Sequence, residues 1–104
     1  MLNHDSSDTF ADGLATRVTF EYPFKIMQKM IDDVVLVSES ELERAIVTLF
    51  DTTHNIAEGA GAASTAAAIR YSDRIKGKNV VLMLSGGNIT REKLLEIFTK
   101  WKNN

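Results

Sequence analysis

Two short, unbroken apolar runs constrain this chain most: Val34-Val35-Leu36-Val37 and Val80-Val81-Leu82-Met83-Leu84. Each is too short for a stable helix and has the aliphatic character of a strand. A strand that is apolar at every position is one covered on both faces, as in parallel sheets. Each run leads into a segment with the chemistry of a helix start. After the first come Ser38 and Glu41, spaced as a capping box in which each side chain satisfies the other's backbone amide. Leu42, Ala45, Ile46, Leu49 and Phe50 follow at helical spacing. After the second come the turn Ser85-Gly86-Gly87-Asn88 and then Thr90, which caps a last helix bearing Leu94, Leu95, Phe98 and Trp101.

Two further helices complete the pattern. Pro23 is expected at the first position of one, because its fixed φ suits that site and its missing N–H is not needed there. Ile26, Met27, Met30 and Ile31 give it an apolar stripe. An alanine-rich helix is expected from Glu58 or Gly59 to about Tyr71, closed off by the turn Lys76-Gly77-Lys78-Asn79. The order α, β, α, α, β, α implies an α/β fold, a small parallel sheet flanked by helices in three layers, as one domain over residues 1–104. Two or three strands fall short of the roughly 4–6 of an ordinary sheet, so this sheet reads as part of a larger one.

Composition excludes several function classes. The chain has no cysteine, which removes disulfides, thiolate metal ligands and a thiol nucleophile. Two histidines, His4 and His54, are too few for a histidine-built metal site, and no metal is expected. No apolar run nears the roughly 20 residues of a membrane helix. The first residues lack the basic and apolar regions of a signal peptide, so a cytoplasmic location is expected, without a membrane partner. Residues 1–69 carry 4 basic and 11 acidic residues, residues 70–104 carry 8 and 3. The basic residues of the second part are interleaved with an apolar helix stripe, the pattern of a solvated helix face. With a net charge of −2, nucleic acid is not an expected partner.

Three stretches could carry chemistry. Ser85-Gly86-Gly87-Asn88 lies between a strand and a helix, where ligands gather in open α/β sheets. There glycine lets a ligand approach the backbone, and Ser85 offers a hydroxyl that can donate or accept. The same residues also suit a plain strand-to-helix turn. Glu58-Gly59-Ala60-Gly61-Ala62-Ala63 opens a helix, where a carboxylate is electrostatically favoured and small residues permit close packing. Asp12-Gly13 is by itself a common turn pair. His54 suits the dipole at a helix C-terminus and has no serine–aspartate partners in triad spacing. None of the seven lysines lies in an apolar setting that would lower its pKa for covalent chemistry.

Taken in order, Thr9-Phe10-Ala11-Asp12-Gly13-Leu14-Ala15, Val34 to Glu39, Glu58 to Ala63 and Val80 to Asn88 resemble the C-terminal third of the threonine/serine dehydratase family. These are pyridoxal-phosphate enzymes of fold type II, with the tryptophan synthase β-like architecture. The resemblance spans about residues 9–95. It implies a fragment of that fold, in which Ser85 hydrogen-bonds the ring nitrogen of pyridoxal phosphate, Gly13 and Gly86 lie against the cofactor, and Glu58 is the catalytic-side carboxylate bordering the reaction. A hydroxyl at the ring nitrogen leaves it largely unprotonated, which suits β-elimination of water from serine or threonine.

The family's Schiff-base lysine, its glycine-rich phosphate loop and its metal-binding carboxylates have no counterpart here. The resemblance therefore implies the pyridine-side wall of a cofactor pocket, inactive and without bound pyridoxal phosphate when alone. The competing expectation is a non-catalytic interaction module derived from such an enzyme. In either case the uncovered sheet edge and core surface imply self-association, a homo-oligomer.

Overall fold

A computed structural model describes residues 6–102; His4 and the other N-terminal residues considered above lie outside the described residues. Among the described residues there are five α-helices, α1 Glu21–Met30, α2 Glu39–Thr53, α3 Gly59–Arg70, α4 Ser72–Ile75 and α5 Arg91–Lys100, with a 3-10 turn at Asp12–Leu14. Helix α2 begins with the expected capping box: Glu41 N donates to Ser38 Oγ at 3.3 Å and Ser38 N donates to Glu41 Oε2 at 2.7 Å. It ends at His54, whose N–H still donates to the carbonyl of Phe50 and whose left-handed backbone (φ 59°) then turns the chain out of the helix. Thr90 caps α5 by accepting from Lys93 N at 3.2 Å. Gly77, at φ 74°, turns the chain after α4.

Two expectations are corrected. Pro23 is the third residue of α1 rather than the first; any of the first four helical N–H groups is dispensable, so the ring is tolerated there. The expected parallel sheet is not formed: among the described residues there is no strand. The reason is a lack of ladder partners rather than a lack of extended character. Exposure alternates along both runs, with Leu36 80% exposed beside Val35 at 38%, and Val81 86% exposed beside Leu82 at 43%. That period of two marks extended backbone. The amides of Val35 to Val37 and Val80 to Leu84 donate to no partner among the described residues. The more shaded residues of both runs face α3, and Ser64 Oγ donates to the Met83 carbonyl at 2.8 Å.

The core lies where α2 and α3 pack together, with Ile97 of α5 closing it. Its buried members are Leu42, Ala45 and Ile46 of α2, Ala62 and Ala66 of α3, Ile97, and the loop residues Ala11 and Ala57. Alanine dominates, so the helices approach closely but each contact contributes little apolar area. Ile46 is wholly enclosed. Its truncation to alanine should lower unfolding free energy by about 3 kcal/mol, read from a urea titration followed by circular dichroism; a change below about 1 kcal/mol would show that the core collapses around the loss.

Coverage of this core is thin. The chain exposes 8195 Å2, against about 5,800 Å2 for a folded monomer of its mass. Its radius of gyration is 14.9 Å, against about 13 Å for a compact domain of this length.

Candidate functional site around the start of helix α3

The first turn of α3 collects all four stretches singled out in the sequence. Gly13, in the 3-10 turn, sits so close to α3 that a Cβ on it would lie 2.9 Å from Ala60 Cβ. Gly59 faces the same turn from the helix side, with room for no Cβ between it, the Phe10 ring and Ala11. The opposite flank is the Ser85–Asn88 turn. Glu58 N donates to the Gly86 carbonyl at 3.0 Å. A Cβ on Gly61 would collide with that same carbonyl and lie 3.0 Å from Gly86 N. A Cβ on Gly86 would collide with Glu58 Oε1, and one on Gly87 would lie 2.6 Å from the Ile56 carbonyl. Gly61 and Gly87 are thus required by close approach of backbone and Gly13 and Gly59 by side chains packed against them, whereas Gly86 meets only the movable end of Glu58; none of these is required by left-handed φ.

The second stretch joins through Glu39. Its carboxylate accepts from Thr9 Oγ1 at 2.5 Å and from Phe10 N at 3.1 Å, tying the residues before Gly13 to the first turn of α2. Gly13, Glu58 and Gly86 are therefore held against α3, while Ser85 stands exposed at the end of the second extended run, adjoining Gly86. Glu58 is the N-cap residue of α3 but makes no side-chain cap. Among the described residues neither its carboxylate nor the Ser85 hydroxyl has a hydrogen-bond partner, which leaves both free for another group. His54, at the far end of α2, takes no part.

Sequence spacing gave no sign of a second feature beside Glu58. A cavity of about 250 Å3 is lined by Phe10, Asp12, Glu58, Asn88, Thr90 and Lys93. The Lys93 ammonium lies 4.8 Å from the centre of the Phe10 ring, 3.0 Å from Glu96 and 3.9 Å from Glu43. Only the Glu96 partner, three residues along the same helix, is a contact that spacing can foresee. Lys93 is thus a paired cation, not a free amine.

The group implied by the resemblance, pyridoxal phosphate, can be tested against these residues. A hydroxyl, a carboxylate and exposed glycine backbone suit the edge of a polar aromatic ring. The phosphate is less well served: Gly86-Gly87 is the only adjacent glycine pair in the sequence, so there is no longer glycine-rich run whose backbone N–H groups could cradle it. The residues fit the ring side of the cofactor and not its phosphate.

Comparison with known proteins bears on the same point. The model of the pyridoxal-phosphate dependent enzyme family matches residues 1–86. The chain is 46% identical over 81 residues to the biosynthetic L-threonine dehydratase of Halalkalibacterium halodurans, covering 78% of this chain and 20% of that protein. The Bacillus subtilis counterpart is 43% identical over 84 residues, again covering 20% of its length. The chain thus spans about a fifth of these relatives. Among solved structures, the processed form of threonine deaminase isoform 2 from Solanum lycopersicum superposes with a TM-score of 0.85 at 36% identity, over 93% of this chain and 27% of that one. Serine racemase from Dictyostelium discoideum gives 0.71 at 32% identity, over 81% and 28%.

Proposed function

The chain belongs to the pyridoxal-phosphate dependent enzyme family, and from that premise we propose that it supplies the ring-side wall of the cofactor pocket of a threonine/serine dehydratase. The single observation that carries this reading is the convergence of Gly13, Glu58 and Gly86 on the first turn of α3, with the Ser85 hydroxyl free beside them. Pyridoxal phosphate, when bound, draws electrons from the α-carbon of an amino acid and so assists loss of water from serine or threonine. In this reading Ser85 Oγ hydrogen-bonds the ring nitrogen and holds it largely unprotonated. Gly13 and Gly86 let the ring approach the backbone. Glu58 borders the reacting atoms as a carboxylate able to hold a proton.

Covalent anchoring of the cofactor and removal of the α-proton need a lysine, and the described lysines here lie outside this cluster or, like Lys93, are paired. The chain by itself is accordingly inactive, and its two extended runs become strands of a parallel sheet only against the remainder of such an enzyme.

The test is complementation. The chain is mixed with a Bacillus subtilis threonine dehydratase lacking the region this chain matches; that enzyme's own excised segment serves as the control. Ammonia release from threonine or serine is expected from the mixture and from neither part alone. Ser85→Ala should cut that rate about tenfold, the worth of one hydrogen bond of about 1.4 kcal/mol. A control that restores activity while this chain does not would overturn the reading.

A further inference from the structure

The two flanks of the first turn of α3 are held in different ways. The Ser85–Asn88 flank is tied to α3 directly, by the bond from Glu58 N to the Gly86 carbonyl. The Gly13 flank is not. Among the described residues no backbone hydrogen bond joins residues 11–15 to α3. The bonds of this turn run within it, from Asp12 N to Phe10 O, from Leu14 N to Ala11 O and from Ala15 N to Asp12 O. They fix the shape of the turn but not its place. Packing presses it onto Gly59 and Ala60, and apolar packing has no preferred direction.

Direction enters at the start of the turn. Glu39, the first residue of α2, accepts from both Thr9 Oγ1 and Phe10 N. Thr9 Oγ1 in turn accepts from Ala11 N at 3.1 Å. These bonds run from α2 to the backbone two residues before Gly13, and those to the carboxylate are of the stronger, charge-assisted kind. Ala11, where they end, is 1% exposed. We infer that Glu39 is a positioning residue, which acts through Thr9 to set where Gly13 stands against the cofactor ring. The inference rests on the function proposed above, in which Gly13 lets the ring approach the backbone.

A carboxylate in the first turn of α2 also favours the helix dipole, and substitution separates the two roles. Glu39→Asp keeps the charge at the helix start but is one methylene short of its two donors. Glu39→Gln loses the charge and keeps the reach: its carbonyl oxygen can accept from Phe10 N while its amide donates to Thr9 Oγ1. Thr9→Val keeps the shape of the side chain, breaks the link and lies outside α2.

Two readouts on the full chain test the role. In the chain alone, amide exchange should quicken about tenfold at Phe10 in Glu39→Asp and at Ala11 in Thr9→Val, and stay near the parent's in Glu39→Gln. In the mixture with the truncated Bacillus subtilis enzyme and saturating pyridoxal phosphate, kcat for ammonia release should fall about tenfold in Glu39→Asp and in Thr9→Val. Glu39→Gln should stay close to the parent, and Thr9→Val combined with Glu39→Asp should fall no further, because both cut one link. A rate kept by Glu39→Asp and lost by Glu39→Gln would assign the carboxylate to the helix dipole and overturn the inference. Quickened exchange with an unchanged rate would overturn it as well, since packing alone would then place Gly13. If Glu39→Asp loses α2, Thr9→Val decides. An inactive parent mixture beside an active control would overturn the proposed function and this role with it, whereas failure of the role alone shows in a parent mixture that is active.

Discussion

Gly61→Ala will destabilise the chain by about 2 kcal/mol, the scale of overpacking a close contact. Helix propensity alone argues the reverse, since alanine in place of a helical glycine is worth up to about 1 kcal/mol in favour of folding. The contact wins because the new Cβ meets backbone. It collides with the Gly86 carbonyl and lies 3.0 Å from Gly86 N, and no rotamer change can relieve that. The turn must move, and the hydrogen bond from Glu58 N to Gly86 O is the first thing lost. In the complemented enzyme the shift carries Ser85 with it. Misplacement by about 1 Å costs about 10²-fold in rate. Chemical denaturation and the rate assay measure the two effects separately. A variant more stable than the parent, with its rate unchanged, would show that the Ser85–Asn88 turn does not depend on Gly61.

That contact also shows where sequence reading stops. Each helix start is a local event. Ser38 and Glu41 are three residues apart, and Thr90 reaches Lys93 within its own turn, so α2 and α5 could be read from spacing alone. Likewise Gly77 announces a turn that only a permissive residue makes easily. Helix α4 was missed because Ser72-Asp73-Arg74-Ile75 follows α3 with no apolar stripe of its own.

The two aliphatic runs read as buried strands of a parallel sheet; the structure shows extended backbone that forms no sheet among the described residues and leaves Leu36 and Val81 largely exposed. A run's residues can state that it is extended; what covers it and what pairs with it belong to other residues, and such pairing is absent among the described ones. The site has the same logic. Nothing within Glu58 to Ala63 states that Gly61 meets Gly86, 25 positions on, and only resemblance to the dehydratases joined those stretches before the fold did. Glu43 was the largest omission. Between Leu42 and Arg44 it looks like an ordinary surface charge of α2, because the groups that enclose it, Lys100 and Trp101, are 57 and 58 residues away.

Removing Glu43 will therefore cost more than a typical surface charge. The residue is 5% exposed. Its Oε2 accepts from Lys100 Nζ at 2.5 Å and from Trp101 Nε1 at 3.1 Å, with Lys93 Nζ 3.9 Å from Oε1. Together these contacts pin the C-terminal half of α5 onto α2. Deleting one member of a buried pair costs about 3–5 kcal/mol. Lys100 is half exposed and can turn to water, so Glu43→Ala is expected to cost about 2–3 kcal/mol instead, still well above the 1 kcal/mol ceiling of exposed pairs. Glu43→Gln, which keeps an acceptor, should lose less.

The pH dependence has a definite sign. Burial pushes the Glu43 carboxyl up, but the hydrogen bonds from Lys100 and Trp101 and the charges of Lys100 and Lys93 outweigh it, leaving the group below its ordinary value of 4.5. A carboxyl depressed in the folded state binds protons more readily in the unfolded chain. Its contribution is complete above the ordinary value and lost as pH falls through the lower folded one. Unfolding free energy of the parent should then drop on acidification below about pH 4.5, and more steeply than that of Glu43→Gln. Parallel pH profiles for the two proteins would show that Glu43 is not what fastens α5 to α2.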